Sequence, residues 1–392
     1  MTAKAVFLDI TRLIRRGLSG PLTGIDRVER AWLCFWLAEG RAFAPVCRTA
    51  FGWRIGGRDA ARAVLEALER APAPVGWRGR VMARGMRQPA LLAAFADQAG
   101  PLLTERALVA AVARQPGAIW CSVGHENLSA GLLSALGAQG VRRLVFLHDL
   151  IPLSTPADWN GPGAPERFAQ GVAAAAAHAD LILTPSGVVA AEVRARGVKG
   201  RVAACPLGVE PAAPDRGALP RGLAENSVYF TAIGTIEPRK DLSLLLDVWD
   251  RLAEDPPRLI LAGRRGWERP EVLSRLDRHP LRGTAILEDA TLGDAAIAAL
   301  LQGARAHLAP SRAEGFGLPA AEAAALGTPV LAADLPVTRE VLGDWPTYLP
   351  PGDPALWAAA IRAARAHPPR RKAPPRLADW TDHFNVVLSH LN

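Results

Sequence analysis

The chain has 392 residues, more than one typical core holds, and fits two domains of under 200 residues each. With 49% hydrophobic and 21% charged residues it is not a globally disordered chain, and no apolar run reaches the ~18–20 residues of a membrane span. The net charge of +8 is uneven: residues 1–220 hold 26 Lys and Arg against 17 Asp and Glu, a net +9, and the remainder is −1. Such a basic half points to an anionic partner, whether a membrane surface, a phosphate-bearing acceptor or nucleic acid. Compositional drift is the other reading, because Arg, Ala, Gly and Pro abound while only Lys4, Lys199, Lys240 and Lys372 are lysines. Nucleic acid is disfavoured by 6% aromatic residues and the lack of a helix-turn-helix, zinc or RNP signature. Cys34, Cys47, Cys121 and Cys205 form no CxxC pair and read as thiols in a reducing compartment. The N-terminus shows no signal-peptide pattern, so a cytoplasmic location is expected.

In chain order, short continuous apolar runs alternate with longer helical stretches. The runs Ala5–Ile10, Phe43–Arg48, Ala118–Val123, Val141–His148, Leu181–Pro185 and Arg201–Leu207 predict strands buried on both faces, as a parallel sheet requires. Helices are predicted over Ile25–Ala38 and Gly171–Ala179. Residues 51–115 break the alternation; Trp77, Arg78, Arg80, Val81, Arg84, Met86 and Arg87 suit either an acceptor- or membrane-binding insertion or a helix with a solvated face. Val209–Pro220 lacks periodicity and reads as a linker. The pattern then restarts with Val228–Ile233, Arg258–Ala262, Thr284–Leu287, Ala306–Ala309 and Pro329–Ala332. Two successive βαβ series predict two Rossmann-like units. The expected domains are 1–210 and 221–375, followed by a last helix within 376–392.

Two strand-to-helix turns carry the chemistry. Glu314-Gly315-Phe316-Gly317-Leu318-Pro319-Ala320-Ala321-Glu322 follows the strand Ala306–Ala309 and precedes a helix predicted to end at Gly327. Glycines there let a ligand approach the backbone, Pro319 fits a first helical turn, and the helix N-terminus faces an anion. Glu322, one turn in, suits a vicinal diol, and Glu314 suits the group being transferred. Gly234-Thr235-Ile236-Glu237-Pro238-Arg239-Lys240-Asp241 follows the strand Val228–Ile233. A glycine turn ending in two cations suits a diphosphate, with Arg239 able to bind bidentately and Lys240 acting as a point charge.

Together with Leu261–Trp267 and the Gly327-Thr328-Pro329-Val330 that follows the helix after Glu314, these motifs resemble glycosyltransferase family 4 over residues 227–365. In the first half the resemblance continues at Thr23–Val28, at Leu147–Leu153 and in the last helix led by Trp380. It implies a GT-B fold: two Rossmann-like doubly wound parallel-sheet domains facing across a cleft, with the last helix returning to the first domain. It implies a retaining hexosyltransferase that uses a nucleotide-sugar donor, GDP-mannose favoured, like bacterial mannosyl- and rhamnosyltransferases of surface polysaccharides. Glu314 would hold the donor sugar, Glu322 the ribose, and Gly315, Phe316, Gly317, Leu318, Gly234 and Thr235 would line the donor. Lys240, Arg239 and Arg264 would neutralise the diphosphate, with Thr235 standing where many relatives have Arg. His148 would line the sugar pocket, and Gly24 and Ile25 would form an acceptor and phosphate loop. The acceptor would be a glycan or lipid-linked molecule at the inner face of the cell membrane.

No Asp-x-Asp pair is present, so the cations are expected to replace a metal, and no cofactor beyond the co-substrate is expected. The alternative function is a catalytically silent sugar-nucleotide-binding partner in a glycan-assembly complex.

Overall fold

The computed structural model describes residues 4–16, 22–69, 91–155, 164–219, 223, 228–367 and 373–391. The basic stretch Trp77–Arg87 lies outside these residues. The chain divides into two compact units, Met1–Leu153 with Gly163–Cys205, and Ser154–Pro162 with Pro206–Asn392.

The first unit holds strands β1 (Val6–Asp9), β2 (Phe43–Thr49), β3 (Gly52–Ile55), β4 (Ile119–Ser122), β5 (Arg142–Phe146), β6 (Leu181–Thr184) and β7 (Arg201–Ala204). They form one sheet in the order β3-β2-β1-β4-β5-β6-β7, parallel except for the hairpin partner β3. Strands β1, β4 and β6 are buried at every position, which is why they read as unbroken apolar runs. Helices such as Gly24–Ala38 and Ala164–His178 intervene. The core is seeded by Phe7, Trp53, Trp120, Leu132 and Leu136, with a neighbouring cluster around Val145, Leu147 and Ile182.

The second unit holds β8 (Tyr229–Ile233), β9 (Arg258–Ala262), β10 (Ile286–Asp289), β11 (Ala306–Ala309), β12 (Val330–Ala333) and β13 (Thr347–Leu349). Their order is β10-β9-β8-β11-β12-β13, parallel throughout. Its core joins Phe230, Leu246, Trp249, Leu259, Leu261 and Trp357. In each sheet the chain winds outward from one central strand, β1 or β8, and then crosses to its other side at β4 or β11. Both units therefore have a switch point between those two strands, where an open α/β sheet leaves a crevice at the carboxyl ends.

The strands missing from the sequence reading are β3 and β13. Both lie at sheet edges and are only three or four residues long, so neither carries a buried apolar run. Among the described residues of the 51–115 region are the helices Arg58–Glu69 and Glu105–Ala113. The segment read as a linker lies against the second unit, where Val209 N–H donates to Ala378 O at 2.8 Å and Asp215 N–H to Ala295 O at 3.1 Å. The last helix, Trp380–Leu391, contacts the same segment through a Trp380 N–H bond to Glu210 Oε1 at 3.2 Å. No helix among the described residues is long and apolar enough to cross a membrane.

Candidate donor site

The two motif turns converge at the switch point of the second unit. The β8 turn is joined to the β9 turn along its length: Gly234 N–H donates to Ala262 O at 3.0 Å, Ile236 N–H to Arg264 O at 2.9 Å, and Gly266 N–H to Ile236 O at 2.9 Å. The glycines are needed for this approach. A Cβ on Gly263 would stand 2.0 Å from Gly234 O. After Gly234 the backbone makes a single turn, Pro238–Lys240, and Asp241 then caps the helix Leu242–Arg251. Lys240 folds back over the turn, so that a Cβ on Gly234 would lie 3.3 Å from its Cε.

The β11 turn ends in the helix Leu318–Ala325, with Gly317 left-handed at φ 85° before the first helical residue and Pro319 in the first turn. A left-handed N-cap of this kind suits glycine, which has no Cβ to clash. The helix stops before Gly327, also left-handed at φ 71°, as the sequence predicts.

Glu314 is the centre of the site. Its Oε1 accepts from Lys240 Nζ at 2.5 Å and from Ser311 Oγ at 2.7 Å; its Oε2 accepts from Arg239 Nη1 at 2.6 Å. Arg239 also meets buried Glu237 through Nε at 2.5 Å. Burial alone would raise the Glu314 pKa. The charges of Arg239 and Lys240, with the bonds from Lys240 and Ser311, overrule it and hold the carboxyl at about 2. His307, on β11, hydrogen-bonds Thr231 Oγ1 through Nδ1 at 3.2 Å. Burial and then the Lys240 charge push it down to about 3, so it is neutral at working pH.

Lys240, His307, Ser311 and Glu314 line one pocket together with Gly234, Thr235, Phe316, Gly317, Pro319 and Ala320. The structure thus brings together Lys240, Glu314, Gly234, Thr235, Phe316 and Gly317. Gly315, Leu318 and Arg264 stand in the same turns but outside the lining. Glu322 is buried within the helix and is also outside it. Arg239 faces two carboxylates instead of open space. Sequence reasoning missed Ser311 and His307. Ser311 stands in the loop that links β11 to the quoted motif, a usable signal; His307 gives none, being one polar residue within an apolar strand.

The remaining candidates lie in the first unit. His148 is buried, its Nε2 donating to Val123 O at 2.7 Å and its backbone N–H donating to His125 Nε2 at 2.8 Å. Gly24 and Ile25 open the helix Gly24–Ala38, where Thr23 and Asp26 form a capping box and Arg12 Nε meets Asp26 at 2.9 Å.

Residues 227–366 match the family model described as glycosyl transferases group 1. The serotype-specific mannosyltransferase WbdA of Escherichia coli is 27% identical over 284 residues, covering 66% of this chain and 34% of WbdA. The O-antigen chain mannosyltransferase B of Escherichia coli is 37% identical over 128 residues, 32% of this chain and 33% of the relative. The chain thus spans about a third of the length of the curated relatives it matches. Among solved structures, Anabaena Alr3699/HepE in complex with UDP superposes with a TM-score of 0.61 at 17% identity, covering 99% of both chains. Residues 227–366 are thus similar to the glycosyl transferases group 1 family, and the two Rossmann-like units have the GT-B fold.

Proposed function

We propose that the chain is a glycosyltransferase that moves a hexose, mannose favoured, from a nucleoside diphosphate sugar to a glycan or lipid-linked acceptor with retention of configuration. The observation that carries this reading is the Lys240–Glu314 pair, set in a pocket at the second unit's switch point beside the N-terminus of the helix Leu318–Ala325. Breaking the sugar–phosphate bond develops negative charge on the diphosphate. A fixed cation and helix amides stabilise that charge more in the transition state than in the ground state. Lys240 supplies the cation, and Glu314, held ionised, accepts hydrogen bonds from the sugar hydroxyls. Arg239 acts from behind, keeping Glu314 charged and in place. Glu322 binds the ribose, and Gly315, Phe316, Gly317 and Leu318 support the sugar and phosphates. Because protein cations meet the diphosphate, the transfer needs no metal.

Support for mannose comes from the names of WbdA and the O-antigen chain mannosyltransferase B; support for a nucleoside diphosphate comes from the UDP in HepE. The basic first half supports an acceptor presented at an anionic membrane surface on the cytoplasmic side. In the first unit, His148 and the Gly24–Ile25 helix start are the proposed sugar- and acceptor-facing groups.

The test is thermal-shift binding against UDP-, GDP-, ADP- and dTDP-sugars without metal, on the unaltered chain and Glu322→Ala. One nucleotide should raise the melting temperature by several degrees and lose that effect in the variant. Absence of stabilisation by every nucleotide would sink the reading.

A further inference from the structure

The β8 and β11 turns are joined by a pair that lies beside the Lys240–Glu314 contact. The Arg312 guanidinium meets the Asp241 carboxylate along two edges, Nε to Oδ2 at 2.8 Å and Nη2 to Oδ1 at 2.9 Å. Two backbone contacts flank it: Arg312 N–H donates to Arg239 O at 2.8 Å, and Arg239 Nη1 donates to Ala313 O at 3.3 Å. Asp241 is buried and left-handed at φ 51°, and its Oδ1 also accepts from Leu244 N–H at 3.3 Å to cap the helix Leu242–Arg251. The Arg312 side chain is 49% exposed, so the ion pair adds little stability by attraction alone. What a two-edged fork supplies is geometry, because it fixes distance and orientation together.

Each end of this fork adjoins a group whose position matters. Asp241 follows Lys240 directly, and Arg312 stands two residues before Glu314. Each turn is also fastened on its own side. The β8 turn is bonded to the β9 turn, and the β11 turn runs into its helix. The Arg312–Asp241 fork instead ties the two turns to each other. We propose that Arg312 and Asp241 are positioning residues that set the spacing of Lys240 and Glu314 before the donor arrives, and so set the affinity of the site for a nucleoside diphosphate. The inference rests on the donor-site reading given above.

Two substitutions separate this role from helix capping. Asp241→Asn keeps a capping oxygen and the tolerance of a left-handed backbone, but loses the charge and one of the two acceptor oxygens. Arg312→Ala removes the fork and leaves the cap intact. The probe is calorimetric binding of UDP, GDP, ADP and dTDP, using whichever the unaltered chain binds. Each single variant should bind that nucleotide about tenfold more weakly, and the double variant no more weakly than the weaker single one, since both break one coupled unit. Melting temperatures without nucleotide should change little. Unchanged affinity in both single variants would overturn the inference, as would fully additive losses. Should Asp241→Asn fail to fold, Arg312→Ala alone decides, its side chain being half exposed. If the unaltered chain binds none of the four, the donor reading fails and this inference with it.

Discussion

The two sheets have the same winding and a switch point at the same place, yet they fill it with opposite electrostatics. In the second unit the carboxylates of the two turns have cations: Glu314 has Lys240 and Arg239, Glu237 has Arg239, and Asp241 has Arg312. In the first unit the β1 and β4 ends hold Asp9 and Glu29 with far less compensation. Asp9 accepts from the hydroxyl and N–H of Thr11, at 2.5 and 3.0 Å, and from Asn127 Nδ2 at 2.9 Å, all neutral donors. Burial raises its pKa to about 6 despite these bonds. Glu29, also buried, is raised well above its ordinary value by burial and then by the Asp9 charge, and its Oε2 has no hydrogen-bond partner among the described residues. One crevice is thus built around fixed charge and the other holds two carboxyls whose pKa burial raises. Fixed charge suits a diphosphate leaving group, whereas neutral polar groups suit hydroxyl chemistry.

The sharpest way to break this contrast is to remove the cation. Lys240→Ala should lower kcat by about 10³-fold, of order 4 kcal/mol, measured by steady-state kinetics with the nucleotide sugar that the chain binds. A loss below about tenfold would mean that Lys240 does not meet developing charge. Next in size are two backbone contacts, one in each unit. A Cβ on Gly263 would stand 2.0 Å from Gly234 O, and one on Gly200 would stand 2.2 Å from Ala179 O. Neither oxygen can swing aside, so Gly263→Ala and Gly200→Ala should each cost about 2–4 kcal/mol in urea unfolding. Only Gly263→Ala should also weaken the thermal response to nucleotide. Equal nucleotide responses in the two variants would detach the β9 turn from the site.

The sheets were legible because doubly buried strands must be continuous apolar runs. Every strand buried on both faces, from Val6–Asp9 to Val330–Ala333, coincides with such a run. The short edge strands have no such constraint. At the site, glycines and cations in two turns announced groups that line the pocket, because close backbone approach and charge leave a mark in residue type. The partnerships did not show. That Arg239 faces Glu237 and Glu314, or that Arg312 reaches Asp241 across 71 residues, depends on how two turns converge in space. Asp9 and Glu29 carry no local motif at all. Their importance lies in burial, which one carboxylate after an apolar run does not reveal.

A smaller effect concerns pH, and it has opposite signs in the two units. Between pH ~4 and ~6 the folded chain keeps a proton on Asp9 that the unfolded chain has released, so stability falls as pH rises through that window. Glu314 behaves in reverse: its pKa drops from 4.5 to about 2, so the stability it confers is full above pH ~4.5 and is lost as pH falls toward 2. Each shift of about two pKa units is worth roughly 3 kcal/mol at most. Urea unfolding at pH 4, 5 and 6 should show Asp9→Asn flattening the fall relative to the unaltered chain. An unchanged slope would mean that Asp9 titrates as an exposed carboxylate does.

The smallest expected effect is that of Glu29→Gln, set against the same substitution at Glu314. Glu29→Gln replaces a buried carboxyl that holds its proton with a neutral amide of the same shape. Among the described residues its carboxyl has one oxygen without a hydrogen-bond partner to lose and no cation within hydrogen-bonding contact, so stability at pH 5 should change by about 1 kcal/mol or less. Glu314→Gln removes a charge held by Lys240 and Arg239 and leaves two partly buried cations facing an amide, which should cost about 3 kcal/mol and abolish the nucleotide response. Comparable losses at the two sites would mean that Glu29 is ionised in the folded chain. The first unit's crevice would then hold fixed charge as the second does, and its neutral-carboxyl character would have to be abandoned.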